Sequence, residues 1–354
     1  MKIFMRNITL TILCSVILMT LSAQQDFHNS QFFTAPITYN PATAGAFEAD
    51  IRGTLNYRSQ YGSVAEPYKT FGFSADAPIK ISDDAYDQNF LGVGLTVVND
   101  NAGTINFNQL HVAGSAAYAI DLGGTERNPH YISLGLQVAF IQRSMNFTNS
   151  TWETQWTGTN FNQSASSREA YTGEITEGNV SLGGGISWFN AFNDNSRILI
   201  GGAVLNANTP SMELLGREND LLRKYTGHVS MAVAPATQSV VYYPNLFVMF
   251  QGPNRIIDIG SEIEFSIWDR TEHTDFRNNL STNLGAYYRF EDAIYFIGRV
   301  NYYDISLGVS YDFTASQLSE NNNGQGGVEL VIGYRTTFNG PGTNRQKLIR
   351  SKGL

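Results

Sequence analysis

The chain has 354 residues, 33 of them glycine, with 23 basic and 31 acidic residues and a formal net charge of −8. The acid excess argues against nucleic acid as a partner, and a slightly negative mean hydropathy argues against a bundle of membrane helices. The single cysteine, Cys14, falls in the export signal described next, so the processed chain offers no disulfide and no thiolate metal site.

Lys2 and Arg6 precede an apolar run from Ile8 to Leu21, followed by Ser22-Ala23. This order of charge, apolar core and small residues predicts a signal peptide over 1–23, cleaved after Ala23. Residues 24–48 follow as a leader that carries Phe27, Phe32, Phe33 and Tyr39. Its aromatic content is wrong for a disordered arm and predicts a segment inserted into the body of the protein as a plug. The leader contains a turn, Asn40-Pro41-Ala42-Thr43-Ala44-Gly45.

From 49 to 338 the sequence alternates apolar and polar residues in short blocks. The clearest block is YDISLGVSYDF at 303–313, with Tyr303, Ile305, Leu307, Val309, Tyr311 and Phe313 on one face. Side chains alternate across a strand with period two, and about ten tilted residues span an outer membrane. Fourteen such strands are predicted, near 49–59, 67–78, 90–100, 109–121, 131–145, 177–190, 196–206, 223–235, 239–250, 256–268, 278–290, 292–301, 303–313 and 327–338. The fold class is therefore all-β, a transmembrane antiparallel barrel in the outer membrane. Glycines inside the strands fit a wall that must curve.

With the N-terminus in the periplasm, the three longest gaps, 146–176, 207–222 and 314–326, face outside, as barrel loops do. The single-residue gap at 291 conflicts with this and points to a merged or miscounted strand there. In 256–268, Asp258, Glu262 and Glu264 alternate with isoleucines and phenylalanine, so the acids are expected in the lumen, paired with Arg289 or Arg299 or lining a cation-selective pore. Tyr242, Tyr243, Tyr287, Tyr288, Tyr295, Phe296, Tyr302 and Tyr303 fit interfacial girdles. The loop 146–176 carries Trp152, Trp156, Phe161 and Tyr171, candidate anchors for an extracellular protein or, equally, a lid packed on itself. The basic tail 339–354, with Arg345, Lys347, Arg350 and Lys352 and no acid, and the leader Gln24–Phe47 are candidate periplasmic docking elements.

Catalytic and cofactor signals are missing. His28, His111, His130, His228 and His273 share no metal-ligand spacing, and no phosphate loop or nucleophile elbow occurs. A non-enzymatic protein without cofactor is expected.

Several motifs taken together carry a family resemblance. After the signal, QDFHNSQFFTAPITYNPATAG leads to Tyr57-Arg58-Ser59-Gln60, then Pro67-Tyr68-Lys69-Thr70 and Ser74-Ala75-Asp76-Ala77-Pro78. Later come Tyr243-Pro244-Asn245, Val248-Met249-Phe250-Gln251, Ser310-Tyr311-Asp312-Phe313, and Gly327-Val328-Glu329-Leu330 with Gly333-Tyr334-Arg335. In order and spacing this resembles the PorP/SprF family of Bacteroidetes outer-membrane proteins, with Tyr61 and Ala77 departing from its usual Trp and Gly. The resemblance implies a role in type IX secretion and gliding. It implies help in exporting or anchoring surface proteins that carry C-terminal sorting domains, and contact with periplasmic machinery including a peptidoglycan-binding lipoprotein. Outer-membrane lipid and lipopolysaccharide would surround the barrel. The Asn40-Pro41-Ala42 turn and the strand number are also similar to the long-chain fatty-acid transporters, which implies uptake of hydrophobic small molecules. A general polar porin is the third reading of a polar lumen.

Overall fold

The computed structural model describes residues 26–338 apart from 61, 63–65, 82–88, 104–105, 126–127, 149, 170–171, 194, 215–216, 236–239, 269–279, 317–318 and 323. The expected signal peptide, the basic tail with Arg345, Lys347, Arg350 and Lys352, and Tyr171 lie outside the described residues.

Alternation along the chain produces a closed antiparallel sheet. Its first half is β1 (Ile51–Gln60), β2 (Tyr68–Lys80), β3 (Phe90–Ala102), β4 (Phe107–Asp121), β5 (His130–Asn146), β6 (Glu174–Asn193) and β7 (Ser196–Leu205). A small hairpin, β8 (Ser211–Leu214) and β9 (Arg217–Asp220), interrupts the order and forms a separate two-stranded sheet. The wall resumes with β10 (Lys224–Val233), β11 (Val240–Gln251), β12 (Asn254–Trp268), β13 (Leu280–Arg289), β14 (Ala293–Tyr302), β15 (Ile305–Thr314) and β16 (Gln325–Thr336). Each wall strand pairs with its neighbours in sequence, β7 pairs with β10, and β1 closes on β16 from Ile51↔Thr336 to Gln60↔Gly327. Fourteen strands thus form a barrel with no free edge, and each strand has a hydrogen-bonded neighbour on both sides, as a membrane requires.

The outer face is apolar. Leu136 is 73% exposed, and Leu134, Val138 and Phe140 stand beside it on β5. So large a contiguous apolar band would be unfavourable in water, and hydrocarbon is its natural solvent. On β15, Ile305, Leu307, Val309, Tyr311 and Phe313 all face out while Ser310 and Asp312 are buried. No helix among the described residues is long and apolar enough to cross a membrane.

Two details of the wall differ from the sequence reading. The short gap near 291 is a tight turn between two complete strands, with Glu291 at φ 59°, and no strand is merged there. Of the eight aromatics assigned to girdles, Tyr243, Tyr287 and Tyr295 are buried inside, whereas Tyr242, Tyr288, Phe296, Tyr302 and Tyr303 are exposed. Adjacent strand residues cannot share a face, so runs such as Tyr242-Tyr243 and Tyr287-Tyr288 must each send one ring inward.

The two ends of the barrel differ. One end carries the start of β1 and the end of β16. The other carries the connections 147–173, 206–223 and 315–324. The 206–223 connection folds onto the lumenal face of the wall. Met212 and Leu221 pack on Ala113, Ala139 and Ile141, and Asn208 bonds both ways with the β6 backbone at Val180 and Leu182.

Candidate functional site in the lumen

Residues 26–50 occupy the barrel interior. The segment is built from short 3-10 turns at Phe32–Thr34, Pro36–Thr38 and Pro41–Thr43 rather than from a helix. Pro36 and Pro41 open two of these turns, where a missing N–H costs nothing. The Asn40 side chain accepts from Ala42 N at 2.9 Å, and so shapes the Asn40-Pro41-Ala42 turn. Its amide donates to the Ile186 carbonyl on β6 at 3.0 Å, and Ser187 Oγ donates to the Ala42 carbonyl at 3.0 Å.

The wall beside this turn is made of glycine. A Cβ added to Gly92, Gly135 or Gly185 would overlap the backbone of Ala44, the backbone of Pro41-Ala42, and the Asn40 side chain respectively. These glycines do more than relieve wall curvature, because they leave room for the segment's backbone. Gly45 sits at φ 71°, a conformation open to glycine. Its N–H donates to Asp76 Oδ2 at 2.9 Å, and Asp76 is itself held by Arg52 through Nε at 2.9 Å and Nη2 at 2.8 Å.

The opposite wall is charged. Ser30 is its centre. Its hydroxyl donates to Asp312 at 2.8 Å and accepts from Arg58 Nη1 at 2.5 Å and from Arg289 Nη2 at 2.9 Å. One donor and two acceptor lone pairs are all a serine hydroxyl has. Arg58 also donates to Asp312 Oδ2 at 2.8 Å and to Glu329 Oε2 at 3.2 Å. Arg289 also donates to Asp258 Oδ1 at 3.0 Å and to Asp312 Oδ2 at 2.9 Å. Glu329 receives the backbone N–H groups of Ser30 and Gln31 at 2.6 and 3.0 Å. Two arginines and two carboxylates from β1, β13, β15 and β16 thus converge on one residue of the segment, Asp258 of β12 joins them through Arg289, and all are buried.

Aromatic rings fill the space between the two walls. Phe32 stacks on Phe247 with centroids 4.9 Å apart, Phe33 stacks on Tyr287 at 5.9 Å, and Tyr287 stacks on Tyr295 at 5.1 Å. Arg299 lies 4.8 Å above the Phe33 ring.

The acids singled out on β12 all face inward. Asp258 pairs with Arg289, and Glu262 accepts from Arg299 Nη2 at 2.9 Å. Glu264, half-buried, accepts from the Tyr243 hydroxyl at 2.6 Å. In the 147–173 loop, Trp152 packs its ring 5.9 Å from Phe147. Trp156 and Phe161 pair at 4.9 Å while remaining 49% and 47% exposed. Arg58, Asp312, Glu329 and Ser30 were not singled out as a site. The signal available was a charged residue on the polar face of most strands, which does not say which strands meet. No group of three or more His, Cys, Asp or Glu among the described residues could hold a metal ion.

A family model described as "Type IX secretion system membrane protein PorP/SprF" matches residues 21–334. No curated protein matches the chain. Among solved structures, the TodX monoaromatic hydrocarbon channel deltaS2 mutant aligns with TM-score 0.46 at 11% identity, over 85% of this chain and 93% of that one. A Pseudomonas aeruginosa FadL homologue aligns with TM-score 0.44 at 9% identity, over 84% and 92%. BamA from Haemophilus ducreyi lacking POTRA domains 1–3 aligns with TM-score 0.38 at 11% identity, over 80% and 70%. Likeness at this level says nothing about ligand or role. The family match spans the whole lumenal segment and nearly all of the closed wall, and on it the chain belongs to the PorP/SprF family of type IX secretion system membrane proteins of the outer membrane.

Proposed function

We propose that the barrel is a non-enzymatic accessory of type IX secretion that holds surface proteins with C-terminal sorting domains at the outer membrane. In this reading it also connects them to periplasmic subunits of the secretion and gliding machinery, including a peptidoglycan-binding lipoprotein. The observation that carries the reading is the occupied lumen. A segment hydrogen-bonded through Ser30 and Gln31 to a buried charged cluster on one wall and seated against bare backbone on the other suits a protein that works through its rims. Withdrawing the segment would break the buried Asp26–Lys224 pair, which is strongly unfavourable, so this segment is a poor gate for a freely conducting porin.

The extracellular rim then contributes Trp152, Trp156, Phe161 and Tyr171. The exposed Trp156–Phe161 pair is the part best suited to anchor a partner. The periplasmic rim contributes Arg345, Lys347, Arg350 and Lys352, whose charge suits an acidic surface. Lipid and lipopolysaccharide meet the outer face, and no cofactor is required.

Affinity isolation of the tagged protein from gently solubilised envelope tests this. Sorting-domain proteins or secretion-machine subunits are expected in the eluate. Deletion of the gene is expected to remove a specific protein from the cell surface with small-solute uptake unchanged. A bound hydrophobic small molecule, together with none of these proteins, would overturn the reading in favour of a transporter.

A further inference from the structure

The lumenal segment has a direction. Near the end where β1 starts and β16 finishes, Asp50 N donates to the Thr336 carbonyl at 3.0 Å, and Arg197 at the start of β7 donates to Glu48 at 2.6 Å. Five residues along the strands from there, Ala42 and Asn40 rest on Gly135 of β5 and Gly201 of β7. Further on, the Tyr39 carbonyl accepts from Thr226 near the start of β10 at 2.7 Å. Ser30 then reaches Arg58 and Arg289, which lie at the opposite ends of β1 and β13 from their starts. Finally Asp26 pairs with Lys224, the first residue of β10, and accepts from Gln109 near the start of β4 at 2.8 Å. Lys224 also lies 4.9 Å over the Phe27 ring.

Strands of an up-and-down barrel alternate in direction, so the starts of β4 and β10 and the ends of β1 and β13 share one rim. That is the rim bearing the connections 147–173, 206–223 and 315–324. Long connections mark the cell-surface side of outer-membrane barrels. Residues 50 to 26 therefore cross the lumen from the rim holding the strand termini to the rim holding the long loops.

We propose that the segment threads the barrel completely and presents the processed amino end of the chain at the cell-surface mouth, beneath the long loops. The inference rests on cleavage of the expected signal after Ala23 and on the long loops facing outside.

The test places an epitope between Ala23 and Gln24 in the full-length chain. Two control variants carry it after Gly158 in the long loop or after Leu354. Antibody binding to intact cells is compared with binding after the outer membrane is permeabilised. The expected result is that the amino-end and Gly158 epitopes are reached on intact cells, and the carboxy-end epitope only after permeabilisation. An amino-end epitope that needs permeabilisation, in a strain whose Gly158 epitope does not, would overturn the proposal. A hidden Gly158 epitope would overturn the orientation beneath it. The tag could itself prevent threading, so an untagged Asp26→Cys/Lys224→Cys variant supplies a second readout in a processed chain that has no other cysteine. A short bismaleimide is expected to join the two positions, and failure to join them counts against the proposal.

Discussion

The two walls that hold the lumenal segment work by different physics. On β1, β12, β13, β15 and β16, two arginines and three carboxylates form the cluster that holds Ser30. On β3, β5 and β6, glycines let the turn at Asn40–Ala44 lie directly on the wall backbone. The charged wall supplies directional bonds whose value depends on every partner being present. The glycine wall supplies only room, and any side chain placed there takes the room away. A segment with little regular structure can therefore have one defined path, because one wall pins it and the other shapes it.

Removing a partner from the charged wall is expected to have the largest effect. Arg58→Met leaves Asp312 and Glu329 buried with one cation fewer, and a loss of ~4 kcal/mol is expected. Urea unfolding of the detergent-solubilised protein, followed by heat-modifiable migration, measures it. On the other wall, Gly135→Leu drives a side chain into Pro41-Ala42, with a cost of ~3 kcal/mol. This variant is expected to expel the turn and expose it to protease, while Arg58→Met leaves the turn protected for longer. Equal protease sensitivity in the two variants would mean that the walls do not act separately.

The link between the walls is weaker. Arg52→Met removes the two-pronged partner of Asp76, whose other contact is Gly45 N–H, and ~2 kcal/mol is expected from the same unfolding assay. Trp156→Ala touches neither wall. Its effect on stability is expected within ~0.5 kcal/mol, while recovery of surface proteins with the tagged barrel is expected to fall. A Trp156→Ala barrel that recovers them in full would remove the 147–173 loop from the docking surface.

The wall was legible in the sequence because a strand with lipid on one side and an enclosed interior on the other must alternate. Ile305, Leu307, Val309, Tyr311 and Phe313 show the rule without interruption. The rule also says which residues face in, but not which strands face each other across the lumen. Ser30 meets Asp312 across 282 positions of sequence and Glu329 across 299, and no local pattern carries that information. The path of residues 26–50 was hidden for a related reason. Short 3-10 turns have no extended period, so the aromatics at 27, 32, 33 and 39 suggested insertion but not direction. The hairpin β8–β9 was missed because strands of four residues are too short for alternation to register. The paired tyrosines at 242–243 and 287–288 were assigned by crowding rather than by face, which is why half of them turned out to point inward.

The occupied lumen is the claim on which the proposed role depends, and conductance tests it most directly. The purified full-length protein, reconstituted in a planar bilayer, is expected to show no steady ohmic steps above the bare membrane. Stable, single-sized open steps from the intact protein would contradict a barrel filled by its own amino-terminal segment.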